Sequence, residues 1–91
     1  MESIKATIRG EYQWPSMTEP KQFEVEATFT LLPPAKGEAH YGTGCYMTVK
    51  IPHEREHYVD VRYERTRDLK ELARRWIEGY YGENLREYCF E

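Results

Sequence analysis

Cysteine and histidine are scarce in this chain. Two cysteines, Cys45 and Cys89, and three histidines occur among 91 residues. Structural zinc sites use close pairs such as C-x2-C, and neither cysteine has a second cysteine nearby. A looser set of Cys45, Cys89, His40 and His57 lacks the spacing of such a site. We expect the cysteines to stay reduced, and we expect no metal and no cofactor.

Long apolar runs and a strong charge of one sign are also missing. No stretch approaches the roughly 18 consecutive apolar residues of a membrane span, and residues 1–6 lack the apolar core of a signal peptide. With 13 basic and 16 acidic residues, the net charge is −3. That charge has the wrong sign for a general nucleic-acid binder and is too small for an acidic mimic of nucleic acid. We therefore expect a cytoplasmic protein whose partner is neither a membrane nor a nucleic acid.

Proline and glycine are few enough to mark the loops. Pro15 and Pro20 lie in a segment without periodicity, which predicts a loop. The longest irregular segment is 33–44, which holds two prolines and three glycines and is predicted to be a mobile loop. Pro52 ends a strand because proline has no N–H for a sheet.

Apolar and polar residues alternate in four segments, which predicts strands with one buried face. The clearest row is formed by Phe23, Val25, Ala27, Phe29 and Leu31. The four predicted strands are 4–9, 23–31, 45–51 and 57–64. Gly10 follows the first strand and marks a candidate bulge.

After residue 64 the apolar period changes from 2 to 3.6, which predicts an amphipathic helix. Its apolar stripe contains Leu69, Leu72, Ala73, Trp76, Ile77 and Tyr80. Thr66 or Asp68 is positioned to cap its start, and Gly82 to end it. Residues 85–90 are compatible with either a fifth strand or a packed tail.

These elements predict an α+β fold in a single domain, 1–91. An antiparallel sheet of four strands, or five if residues 85–90 pair, is covered by one C-terminal helix. A chain of this length holds one core but not a deep substrate cavity as well. The exposed edge strands leave a monomer and a homodimer both open.

The segment from His53 to His57 matches the H-E-x-x-H pattern of zinc hydrolases. That pattern needs a helix, on which residues four apart share one face and both imidazoles reach one metal. Here a strand and Pro52 precede the segment and another strand follows it. A polar hairpin turn is therefore the favoured interpretation, and a zinc-dependent hydrolase through His53, Glu54 and His57 is the alternative. We identify no catalytic residue.

A basic edge runs along the predicted helix, where Arg67, Lys70 and Arg74 recur at spacings of three and four. Such an edge can contact nucleic acid or an acidic protein. Acidic neighbours such as Glu71 interrupt it, which favours solvated helix surface. We retain the three residues as candidate partner contacts.

Aromatic residues supply the remaining candidates. Trp14 and Met17 lie in the proline-bounded loop, Tyr41 lies in the glycine-rich one, and Tyr46 and Tyr58 are predicted to face outward from the sheet. Aromatic anchors among charged residues are typical of protein interfaces. The alternative for Trp14 and Met17 is that they fold back over the open end of the core.

Two runs of the chain resemble small proteins carried by phages and mobile elements of Firmicutes. They are HYGTGCYMTV at 40–49 and VDVRYERTRDLKELARRWIEGYYGENLRE at 59–87. The resemblance implies an accessory protein of the kind that includes inhibitors of host defence, such as anti-CRISPR proteins. Together with the lack of a catalytic constellation, it suggests a non-enzymatic protein that binds a partner protein.

Overall fold

The alternating segments form strands of one sheet, and the segment with helical spacing forms a helix. The computed structural model describes residues 2–32 and 46–91. Its elements are β1 (Glu2–Tyr12), β2 (Lys21–Leu31), β3 (Tyr46–Lys50), β4 (His57–Asp60), α1 (Leu69–Tyr81) and β5 (Leu85–Phe90). The predicted α+β class is confirmed, and residues 85–90 form a fifth strand. Tyr41, Cys45 and the loop predicted at 33–44 lie outside the described residues.

The five strands pair antiparallel in the order β4-β3-β2-β1-β5. The helix α1 connects the two edge strands and packs on one face of the sheet. Its buried residues are Leu69, Leu72, Ala73 and Ile77. They meet the inward rows of the strands, in which Ala6, Ile8, Ala27, Phe29, Met47 and Val49 are buried.

In the described part of the chain, the opposite face of the sheet carries no helix and is covered with polar side chains. Ser3 and Thr30 share a hydrogen bond of 2.8 Å between their hydroxyl oxygens. Lys5 reaches diagonally across to Glu26 on β2, with 3.8 Å between Nζ and Oε1. Within residues 2–32 and 46–91, no helix is long and apolar enough to cross a membrane.

Both ends of α1 follow the sequence signals. The Asp68 carboxylate accepts a hydrogen bond of 3.2 Å from the backbone N–H of Lys70, which satisfies a donor that the first helical turn leaves unpaired. Gly82 ends the helix with a φ of +53°. That conformation suits glycine, which has no Cβ to clash with its own backbone.

Strand β4 ends at Asp60, earlier than the predicted residue 64. The Asp60 carboxylate accepts a hydrogen bond of 3.0 Å from the backbone N–H of Arg62 and another from its guanidinium. These bonds hold the pKa of Asp60 below its ordinary value. They also turn the chain, so the alternation at 61–64 belongs to a loop.

Arg67 holds that loop together. Its guanidinium donates hydrogen bonds of 3.0–3.2 Å to four backbone carbonyls, which are those of Val61, Arg62, Glu64 and Thr66. A planar fork with several N–H donors can serve such a set, whereas an ammonium group is a single point. Arg67 therefore contributes to the structure of the loop, and its predicted partner contact stays a prediction.

Replacing Arg67 by Met is expected to destabilise the protein by about 1–3 kcal/mol, because carbonyls held by a charged donor lose it. Urea unfolding measures the change. Arg65→Met, at an exposed position of the same loop, is the control and should stay within about 0.5 kcal/mol of the wild type. Equal stability of the two variants would contradict the role of Arg67.

Gly10 is the point at which β1, β2 and the segment before β5 come closest. It pairs with Phe23 in β2, and the pairing of β1 with β5 shifts register between Arg9 and Gly10, as expected of a bulge. A Cβ added at Gly10 would collide with the backbone carbonyl oxygen of Asn84 and with the Phe23 ring. The missing side chain therefore lets the ring lie directly over the strand.

We predict that Gly10→Ala lowers the free energy of unfolding by about 1–3 kcal/mol through overpacking. Gly79→Ala is the matched control, because a Cβ there meets nothing within 4 Å. It should raise stability by about 0.5–1 kcal/mol, since alanine favours a helix more than glycine does. Urea denaturation measures the change in the free energy of unfolding for both variants. An unchanged stability of Gly10→Ala would contradict the close approach of Asn84 and Phe23 to Gly10.

Candidate functional site

A cleft of about 520 Å³ opens between the end of α1 and the turn that joins β1 to β2. We call it the aromatic cleft. It is lined by Tyr12, Trp14, Phe23, Val25, Glu54, Tyr80, Tyr81 and Asn84. Its volume lies in the range of roughly 300–1,000 Å³ that ligand sites occupy. Because the lining comes from separate parts of the chain, only the folded protein assembles it.

The inward rows of β1 and β2 supply the floor of the cleft. Phe23 and Val25 continue the row that is buried further along at Ala27 and Phe29. Near the cleft only the end of α1 reaches this row, and it becomes half-buried. The Phe23 ring reaches the cleft because it packs over Gly10, and it stacks on Tyr81 with 5.5 Å between ring centroids.

Helix α1 supplies the wall through its last two residues. Tyr80 is 49% exposed and stacks on Trp76 at 4.5 Å with an angle of 12° between the rings. His57 contacts both rings edge-on, at 5.4 Å from Trp76 and 5.2 Å from Tyr80. Tyr81 packs edge-on against Tyr80 at 5.0 Å. Tyr80 is therefore held by three neighbouring rings while about half of it stays exposed.

Trp14 forms the outer lip and is 64% exposed. A turn holds it there. The backbone N–H of Met17 donates to the Trp14 carbonyl at 2.9 Å, and the Gln13 side chain donates to the Met17 carbonyl at 3.1 Å. The indole also packs edge-on against Tyr12 at 6.1 Å. A large exposed apolar ring in a fixed position is a typical anchor of a protein interface.

Glu54 carries the one formal charge among the residues that line the aromatic cleft. The β3–β4 turn positions it, where its backbone N–H donates to the Ile51 carbonyl at 3.1 Å. His57 Nε2 lies 3.8 Å from Glu54 Oε1, too far for a hydrogen bond. This nitrogen is buried and has no hydrogen-bond partner among residues 2–32 and 46–91.

Burial, together with a smaller contribution from the negative charge of Glu54, raises the pKa of Tyr81 to about 12. The folded protein therefore keeps this phenol neutral at a pH where the unfolded chain already ionises it. Below the unfolded pKa of about 10 both states are protonated, so stability does not depend on this group. Stability falls as pH rises from about 10 to about 12.

We predict that Tyr81→Phe reduces this alkaline loss of stability, which urea unfolding across the same pH range measures. Part of the loss remains in the variant, because burial also raises the pKa of Tyr88. Tyr63→Phe, at a side chain that is 86% exposed, is the control and should keep the wild-type pH dependence. An unchanged dependence in Tyr81→Phe would contradict the buried phenol.

The aromatic residues predicted from the sequence divide between two surfaces. Trp14 lies at the aromatic cleft, and Met17 supports its turn. Tyr46 and Tyr58 lie on the helix-free face, as predicted, and Tyr58 is 67% exposed. Tyr41 lies outside the described residues. The structure therefore does not bring the four described candidates into one site.

The basic residues of α1 are a third group. Lys70 lies over the Phe90 ring, with 5.5 Å from Nζ to the ring centroid. Arg74 is 3.9 Å from the Glu71 carboxylate. The neighbouring Arg75 is paired with Glu64 at 2.7 Å. These acidic partners interrupt the positive field, as the spacing predicted.

Four aromatic lining residues were not among the sequence-based candidates: Tyr12, Phe23, Tyr80 and Tyr81. Phe23 and Tyr80 fit the apolar rows and were assigned to the core. The sequence feature that points to them is the Tyr80–Tyr81 pair, which lies directly before Gly82, the residue that ends the helix. A helix end covers less of the sheet than its middle does, so aromatic residues there can reach both core and solvent.

The H-E-x-x-H segment forms the connection between β3 and β4, and it is not helical. His53 adopts a φ of +69° in a turn, and His57 begins β4. The predicted hairpin turn is therefore correct. Among residues 2–32 and 46–91, no group of three or more His, Cys, Asp or Glu side chains is arranged to hold a metal. Cys89 is exposed on β5.

A second cleft, of about 470 Å³, lies over β1 beside β5. Its charged groups pair with one another. Arg9 donates to Glu87 at 2.8 Å and also to Glu24, and Arg86 is 2.8 Å from Glu11. A ligand would have to replace these pairs, so the aromatic cleft is the better candidate site.

No protein-family model, no curated protein and no solved structure matches this chain. The candidate site therefore rests on the geometry of its own residues.

Proposed function

We propose that this chain is a non-enzymatic protein that binds a partner protein through the aromatic cleft. The observation that carries the proposal is Trp14, which is 64% exposed although a hydrogen-bonded turn fixes its position. An ordered indole loses little conformational entropy on binding, and its burial removes a large apolar area from water. Tyr80 beside it offers a second exposed ring of the same kind.

The resemblance of 40–49 and 59–87 to proteins of phages and mobile elements suggests what binding to the partner would achieve. In that class of proteins a small protein inhibits or assists a host protein by occupying its surface. An inhibitor of a host-defence protein, as the anti-CRISPR proteins are, needs an interface and no catalytic group. The aromatic cleft supplies a candidate interface of this kind.

The two alternative functions have less support in the geometry. A zinc-dependent hydrolase needs His53 and His57 on one helical face, whereas they lie in a turn and at the start of β4. Nucleic-acid binding needs an uninterrupted basic surface, whereas Glu71 and Glu64 pair with Arg74 and Arg75. No contact among the described residues favours either alternative.

The proposal predicts that Trp14→Ala weakens partner binding at least about tenfold, as expected for loss of an interface anchor. The tagged chain is used to capture proteins from a Firmicutes extract, and the affinity of the recovered partner is then measured by calorimetry. Tyr80→Ala should weaken the same complex.

Tyr63→Ala is the matched control, because Tyr63 is more exposed than Trp14 at 86% and lies outside the aromatic cleft. It should bind like the wild type. Circular dichroism and melting temperature establish that each variant is folded. If no protein is captured, the proposed function is wrong. If Trp14→Ala binds as tightly as Tyr63→Ala, the site is wrong.

A further inference from the structure

The chemistry of the aromatic cleft distinguishes between classes of ligand. Trp14, Tyr12, Tyr80 and Tyr81 contribute aromatic rings, whose faces are electron-rich and attract cations. The one formal charge in the lining is the carboxylate of Glu54. An apolar side chain would leave this carboxylate without a partner, and an acidic one would be repelled.

The Glu54 carboxylate is available to a ligand. Within the described part of the chain, the one basic side chain within 4 Å of its oxygens is His57, at 3.8 Å and beyond hydrogen-bond distance. The Lys50 ammonium lies nearby but donates to the backbone carbonyl of Glu54, at 3.3 Å. A cationic group that enters the cleft can therefore bond to the carboxylate without breaking a hydrogen bond of the protein.

We propose that the aromatic cleft binds an arginine side chain of the partner protein, with its guanidinium against the exposed rings and hydrogen-bonded to Glu54. This inference rests on the proposed protein-binding function and names the chemistry that the cleft selects. The occupant is cationic because rings and carboxylate both favour positive charge. It is a segment of a protein because a volume of about 520 Å³ accommodates more than one side chain.

Arginine fits this site better than lysine does. The guanidinium is planar and weakly hydrated, so it stacks on an aromatic face at a lower desolvation cost than an ammonium group. Its several N–H donors can bond to a carboxylate while the plane stays against a ring. Trp14 and Tyr80 are the exposed rings of the cleft that are available for such stacking.

The test uses three acetylated and amidated pentapeptides that differ only in the central residue, which is arginine, lysine or citrulline between glycines. Citrulline has nearly the shape of arginine but no charge. Binding is followed by the shift of the Trp14 indole N–H signal in NMR titrations. We expect arginine to bind most tightly, and citrulline about tenfold or more weakly, as loss of a partly desolvated cation–π contact and its carboxylate partner implies.

Two protein variants locate the interaction. Glu54→Gln removes the charge and keeps the shape, and should weaken the arginine peptide about threefold to tenfold. Glu56→Gln is its matched control, because Glu56 is an exposed carboxylate two residues away that bonds to Tyr58 and does not line the cleft. It should bind like the wild type.

Failure of this inference can be told apart from failure of the proposed function. If a captured partner depends on Trp14 but citrulline binds as well as arginine, or Glu54→Gln has no effect, the cleft binds protein without selecting arginine and the inference is overturned. Lack of any binding by the arginine peptide at millimolar concentration also overturns it. Binding of the peptide with no captured partner supports the arginine site and contradicts the proposed function.

Discussion

Eleven residue pairs between β1 and β2 determine which side chains of the sheet lie under the helix. This register puts Ala6, Ile8, Ala27 and Phe29 on the inward face, where α1 buries them, and puts Lys5 and Glu26 on the other face. A slip of one residue would exchange the two sets and place charges beneath the helix. The same ladder extends past the end of α1 to Gly10 and Phe23. The floor of the aromatic cleft is therefore the half-buried continuation of the core.

The fold was largely predictable because its signals are local. The period-2 rows, the helical stripe, the cap at Asp68 and the end at Gly82 each depend on a few adjacent residues. The end of β4 was not predictable from alternation, because Asp60 bonds to Arg62 and Arg67 binds four carbonyls of the following loop. Such side-chain bonds to the backbone compete with strand pairing and leave no trace in the hydrophobic pattern.

The candidate site was harder to predict because it is assembled from residues far apart in the sequence. Trp14 was identified from its proline-bounded loop. Phe23 and Tyr80 fit the apolar rows, but that pattern does not show whether another element covers these side chains. Whether they are covered depends on where α1 ends over the sheet. The sequence also left open whether Trp14 covers the core. The indole packs on Tyr12, which lies outside the buried core, and remains mostly exposed.

The strand order has a consequence for the time at which the protein can fold. Strands β4 and β5 form opposite edges of the sheet, and the segment between them carries the helix that covers the inward face. During synthesis, the apolar rows of β1, β2 and β3 therefore remain uncovered until residues 69–90 have left the ribosome. Contacts between β1 and β5 join residues about 80 positions apart, such as Thr7 and Cys89, and distant pairings of this kind form slowly. Until they form, the nascent chain exposes the same aromatic and aliphatic side chains that the finished protein divides between its core and its cleft.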